Sequence, residues 1–176
     1  RGDFELIENG RQVPIDSFSR EASNLCLALL LDVSKSMVDK LALVQAAAFK
    51  FVENLGHEDL TALYAFNEGV QRILPPTKDH DKIKAAIERL KPGGSTAMFD
   101  AVLQVIRDMK PVSGRKAILL FSDGQDVRSL ATLASVAAAA RGSDVIIYAI
   151  GTIENNETEG GRRDLTELSE SSGGES

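Results

Sequence analysis

Apolar and polar positions change period several times along the chain, and each change marks an element. Leu25–Leu31 is an unbroken apolar run, as expected of a central strand covered on both faces. Leu41, Val44, Ala48, Phe51 and Leu55 then keep helical spacing, with Gly56 where a C-terminal cap belongs. Thr61–Phe66 predicts a second strand. The short Asn67-Glu68-Gly69 turn into Val70–Leu74 demands an antiparallel partner, which Pro75-Pro76 is expected to end. Asp79 or Asp81 is placed to cap a helix bearing Ile83, Ala86, Ile87 and Leu90. After the loop Pro92-Gly93-Gly94-Ser95, another helix carries Met98, Val102, Ile106 and Met109. Ala117–Phe121 and Asp144–Ile150 predict two more strands, with an Ala-rich helix, Leu130–Ala140, between them. A last amphipathic helix around Leu165–Leu168 runs into a Ser/Gly/Glu tail. Such repeated strand–helix units predict an α/β fold: a doubly wound, mostly parallel sheet with helices on both faces and one antiparallel edge strand.

The opening segment follows a different rule. Phe4 and Leu6 on one arm, and Val13 and Ile15 on the other, alternate with polar residues around Asn9-Gly10, a strong hairpin turn. Pro14 cannot donate to a ladder, which puts its arm at an edge. Two strands alone are marginal in water, so the hairpin is expected to lean on the main domain or on a neighbouring module. The expected division is a hairpin or upstream segment over 1–22 and the α/β domain over 23–176.

Composition narrows the function classes. At 176 residues and 43% apolar content the chain can build one sizeable core. A net charge of −6 without a basic patch argues against nucleic-acid binding. The single Cys26 excludes an internal disulfide framework and a multi-cysteine zinc site, and His57 and His80 stand isolated. No apolar run approaches the roughly 20 residues of a membrane-spanning helix, so no membrane insertion is expected of this chain. It opens at Arg1 without Met or a leader pattern and reads as a fragment.

In doubly wound sheets, working residues gather where strands end. Three segments at or near such places are rich in oxygen donors: Asp32-Val33-Ser34-Lys35-Ser36-Met37, Gly93-Gly94-Ser95-Thr96 and Phe121-Ser122-Asp123-Gly124. Asp32, Ser34, Ser36, Thr96 and Asp123 together offer two carboxylates and three hydroxyls. That set suits a hard cation, Mg²⁺, Mn²⁺ or Ca²⁺, better than zinc. Taken singly, each has a plainer reading: Asp32, Ser34 and Ser36 as caps of the first helix, Thr96 with Asp100 as the start of another, Asp123-Gly124 as a turn. Asp100 and Asp126 read either as support for the site or as solvated loop carboxylates.

The Asp-x-Ser-x-Ser of Asp32, Ser34 and Ser36, with Thr96 and the Ser-Asp-Gly at Asp123, resembles the metal-ion-dependent adhesion site of a von Willebrand factor A domain. The likeness covers about Asn24 to Ser172. The upstream stretch from Asp3-Phe4-Glu5 to Ser17-Phe18 is similar to a bacterial group of these proteins, as are Gly94-Ser95-Thr96 with Phe99-Asp100-Ala101, and Asp144-Val145 with Tyr148–Gly151. The resemblance implies a non-enzymatic adhesion or protein-interaction module. Its hydroxyls hold a cation, Mg²⁺ by preference, its aspartates often act through water, and a partner protein supplies an Asp or Glu carboxylate. It also implies a bacterial exported or envelope-associated parent. Lys35 stands where such domains often have Gly; it limits backbone freedom and puts a positive charge beside the cation. Two other functions are kept open: a structural domain with a degenerate metal site, and a phosphatase-like α/β enzyme. The latter needs a second Asp two residues after Asp32, where Ser34 stands, and no nucleophile elbow or phosphate loop occurs. Oligomeric state is not legible.

Overall fold

The computed structural model describes residues 5–14, 24–152 and 159–176. In chain order the elements are β1 (Leu6–Glu8), β2 (Arg11–Val13), β3 (Leu25–Asp32), a 3₁₀ turn (Lys35–Met37), α1 (Leu41–Glu53), β4 (Leu60–Phe66) and β5 (Val70–Thr77). There follow α2 (His80–Glu88), α3 (Met98–Met109), β6 (Arg115–Ser122), α4 (Leu133–Arg141), β7 (Val145–Gly151) and α5 (Glu159–Ser172).

The apolar runs form the sheet, in the order β5-β4-β3-β6-β7, parallel throughout except for β5 against β4. Because side chains alternate across a strand, β3 feeds two cores. Leu27, Leu29 and Leu31 pack with Val44, Ala48 and Val52 of α1 and Ile83 and Ile87 of α2. Cys26, Ala28 and Leu30 face α3, α4 and α5, through residues such as Met98, Val102, Val136, Leu165 and Leu168. Met98, Val102, Ile106 and Met109 are all buried, as their spacing predicts.

Four local expectations are corrected. Helix α1 ends at Glu53 with Asn54 as its cap, and Gly56 instead donates its N–H to Asp59 Oδ2 (2.9 Å). Val52 rather than Phe51 is the buried residue of that turn, because the sheet lies on the side of Val44 and Ala48. Pro75-Pro76 does not end β5. That strand is the sheet's outer edge, where no further ladder needs their amides, and pairing resumes at Thr77 with Thr61 after a register shift. Helix α4 starts at Leu133, not Leu130, because Thr132 and Ser135 form a reciprocal capping box.

The hairpin turns at Asn9 (φ 50°) and Gly10 (φ 76°), the left-handed pair that its sequence predicts. It forms a sheet of its own, separate from the five-stranded sheet. Phe4 and Ile15 lie outside the described residues. The free edge of β7 is met instead by the tail. Ile147 N–H donates to Ser172 Oγ (2.8 Å) and Ala149 N–H to the Glu175 carbonyl (3.1 Å). Gly174 passes so close to the Ile147 carbonyl that a Cβ there would collide with it. Gly174→Ala is therefore expected to lift the tail, costing about 1 kcal/mol for the lost hydrogen bonding. Amide exchange should quicken at Ala149 and stay slow at Leu29.

Candidate functional site

The central strands β3 and β6 run parallel with Leu31 opposite Phe121, so Asp32 and Ser122-Asp123 emerge side by side at the carboxyl edge. The chain continues from β3 to β4 on one side, while β6 lies on the other. This is the topological switch point where open α/β sheets place their ligands.

Asp32 is fully buried, and both its oxygens are used: Oδ1 accepts from Ser34 N–H (2.8 Å) and Oδ2 from Ser122 Oγ (2.7 Å). Burial pushes its carboxyl above the usual range and the nearby charge of Asp123 adds to the rise, while the bonds from Ser34 and Ser122 oppose it. Ser34 and Ser36 hydroxyls lie 3.1 Å apart. Asp123 is buried as well. Its Oδ1 accepts from Gln125 N–H (3.1 Å), but its Oδ2 has no hydrogen-bond partner among the described residues.

Main-chain bonds draw the Thr96 loop onto this cluster. Gly93 N–H donates to the Val33 carbonyl (2.7 Å), and Lys35 N–H to that of Gly94 (3.0 Å). Asn67 braces the same loop, its Nδ2 donating to the Gly93 carbonyl (3.0 Å) and its own carbonyl accepting from Ala97 N–H (2.7 Å). Thr96 is buried, and its carbonyl accepts from both Val127 and Arg128 N–H (3.1 and 3.0 Å). The structure thus gathers all five residues at one edge, linked through these loops.

The helix-cap readings of Ser34 and Thr96 do not hold in this geometry. Ser34 precedes the 3₁₀ turn but makes no capping bond, and α1 starts later, after Lys40. Thr96 is not the cap of α3 either; that position is Ala97. The first turn of α3 is instead capped from another loop. Phe99 N–H donates to Asp126 Oδ2 (2.8 Å) and Asp100 N–H to Ser129 Oγ (3.0 Å). Asp126, and Asp100 whose carboxylate accepts from Leu130 and Ala131 N–H, are therefore engaged clamps rather than solvated carboxylates.

Two groups escaped sequence reasoning. Ser122 was visible beside Asp123, but its role in orienting Asp32 depends on the register of β6 against β3. Gly124 (φ 78°) and Gly161 bring the first turn of α5 against the Asp123–Gly124 backbone. That pairing spans 37 residues, and only an invariant need for glycine at both could have signalled it.

Chemically, two buried carboxylates next to hydroxyls, with one carboxylate oxygen unmatched, form a donor set that fits a hard cation. Among the described residues no group of three or more His, Cys, Asp or Glu is placed to hold a metal. A cation at this edge would depend on the hydroxyls.

The comparisons agree with this architecture. The family profile for the von Willebrand factor type A domain matches residues 27–125. A von Willebrand factor type A structure from Catenulispora acidiphila is similar at a TM-score of 0.72 and 24% identity, over 87% of this chain and 38% of that one. An aerotolerance-related membrane protein from Bacteroides fragilis gives 0.70 and 20%, over 86% and 89%. The PilB minor pilin from Streptococcus sanguinis gives 0.69 and 16%, over 96% and 60%. No curated protein sequence matches the chain. The match spans more than half of the chain, including the Asp32, Thr96 and Asp123 segments, and the chain therefore belongs to the von Willebrand factor type A domain family.

Proposed function

We propose that this domain is a non-enzymatic protein-interaction module that takes an Asp or Glu carboxylate of a partner protein at a divalent cation. Asp32, Ser34, Ser36, Thr96 and Asp123 would hold the ion, Mg²⁺ in the first instance, with Mn²⁺ or Ca²⁺ as alternatives. The observation that carries the reading is Asp123 Oδ2: a buried carboxylate oxygen without a partner among the described residues, close enough to Asp32 for its charge to be felt there. Neutral hydroxyls donate little charge, so a bound cation would stay electrophilic enough to accept a further carboxylate.

The chain's own residues prepare for this. Ser34 N–H and Ser122 Oγ hold the Asp32 carboxylate in one orientation, and the bonds from Lys35 and Gly93 keep the two hydroxyl-bearing loops in register. Against the phosphatase-like alternative, Ser34 occupies the position where a second Asp would be needed. The parent is read as a bacterial exported or envelope protein, a reading supported by likeness to a membrane protein and a minor pilin. The segment 1–22 is read as a unit upstream of the domain.

Thermal melts test the metal directly. Ligand at a hundred times its Kd stabilises the native state by about 2.7 kcal/mol, which for a chain of this size is roughly 5–10 °C. EDTA-treated protein should gain such a shift on addition of Mg²⁺ or Mn²⁺, and Asp32→Ala should abolish it without loss of the fold. The absence of a shift with any divalent ion would contradict the reading, as would phosphate-ester turnover dependent on Asp32.

A further inference from the structure

The loop from Gly124 to Ala131 borders the site and is held almost throughout. Asp126 accepts from Phe99 N–H (2.8 Å), Ser129 N–H (3.0 Å) and Ser129 Oγ (2.6 Å). Asp100 accepts from Leu130 and Ala131 N–H (2.9 and 2.8 Å), and the Thr96 carbonyl from Val127 and Arg128 N–H. A segment pinned this firmly could turn its apolar side chains inward, yet Val127 is 65% and Leu130 95% exposed. Val38, just past the Ser34–Met37 segment, is 54% exposed. Single exposed apolar residues are ordinary; fixed ones on two loops that carry or contact site residues are the makings of a contact surface.

The charges nearby are also available. Lys35, between the two serines, and Arg128, beside Val127, are exposed, and among the described residues neither is in an ion pair. Asp39 and Glu68 belong to the same edge, but Glu68 Oε1 already accepts from Ser95 N–H (3.4 Å).

We infer that the partner segment is acidic and amphipathic: the Asp or Glu taken at the site has, within two residues, a large aliphatic or aromatic side chain that covers Val127 and Leu130. Further acids on the segment would face Lys35 and Arg128. This inference rests on the metal-dependent reading above. Neighbours in an extended peptide are about 3.4 Å apart per residue; Val127 N–H is bonded to the carbonyl of Thr96, and Leu130 N–H to Asp100 Oδ2 in the first turn of α3. A loop already ordered loses little freedom on binding, so buried apolar area converts to affinity with less offset.

The test uses the full chain and three fluorescein-labelled ten-residue peptides, read by anisotropy in Mg²⁺ and in EDTA. One has a central Glu flanked by Leu, one a central Glu flanked by Ser, and one the Leu flanks with Gln for Glu. The Leu-flanked Glu peptide should bind about tenfold tighter than the Ser-flanked one, only in Mg²⁺, and the Gln peptide should not bind. Val127→Ser with Leu130→Ser should bring the ratio to about one while leaving the Mg²⁺-induced melting shift intact. Equal affinities of the two Glu peptides, or a Leu preference that survives the double substitution, would overturn the apolar surface while the metal site stood. A melting shift without binding of any peptide would overturn the partner inference alone. A wild-type protein with no metal shift would overturn both.

Discussion

Asp123→Asn should make the metal-free protein more stable and at the same time unresponsive to Mg²⁺. In the native state Asp123 is buried, one oxygen is engaged by Gln125 N–H, and the other has no partner among the described residues. Burying an unsatisfied polar group costs about 1–3 kcal/mol, more when it is charged. The neighbouring Asp32, also buried, adds like-charge repulsion. Asparagine keeps an oxygen for Gln125 and removes the charge, while its Nδ2 takes the unmatched place of Oδ2, so a net gain of about 1 kcal/mol is expected in EDTA. It also removes a carboxylate from the donor set, so the Mg²⁺ shift should vanish. Asp126→Asn, three residues on, supplies the contrast. Its carboxylate accepts three hydrogen bonds from Phe99 and Ser129, so the same change there should destabilise by about 1–3 kcal/mol. Parallel melts of the two variants in EDTA and in Mg²⁺ check both signs.

Gly124→Ala should be among the most damaging single changes at this edge. Gly124 has φ 78°, a conformation costing an L side chain about 1–2 kcal/mol. A Cβ there would also drive into the Gly161 backbone of α5, and the reciprocal Cβ on Gly161 would meet the Asp123 carbonyl at 2.7 Å. Neither obstacle is the end of a flexible side chain, so helix and loop must separate, at a further cost of about 1–3 kcal/mol for overpacking. Together these predict a loss of about 2–5 kcal/mol, or roughly 5–15 °C in Tm. Gly160 is the control: among the described residues nothing lies within 4 Å of a Cβ there, so Gly160→Ala should be neutral or gain up to about 1 kcal/mol through helix propensity. A simple propensity argument would favour alanine at both positions of the helix, and only the backbone contact separates Gly161 from its neighbour.

What could be read from the sequence and what could not divides along physical lines. The strands of the sheet interior were legible because burial on both faces leaves an apolar run with little ambiguity: Leu25–Leu31 became β3 with one residue added, Asp32. The three oxygen-rich segments were legible as lying at or near strand ends, and the structure brings them to one edge. Choices that depend on tertiary geometry were not. Whether Phe51 or Val52 faces the sheet differs by one helical step, and the tolerance of Pro75-Pro76 depends on β5 lying at an edge. The bond from Ser122 to Asp32 spans 90 residues and follows from register, which no local pattern states.

The central claim is that a divalent cation binds among Asp32, Ser34, Ser36, Thr96 and Asp123, and paramagnetic broadening of the amide NMR spectrum by Mn²⁺ tests it most directly. Substoichiometric Mn²⁺ should first erase the signals of Ser34, Ser36, Thr96 and Gln125, and excess Mg²⁺ should restore them. Broadening that begins instead at the exposed acids of α5 and the tail, or that is uniform across the spectrum and indifferent to Mg²⁺, would contradict the account.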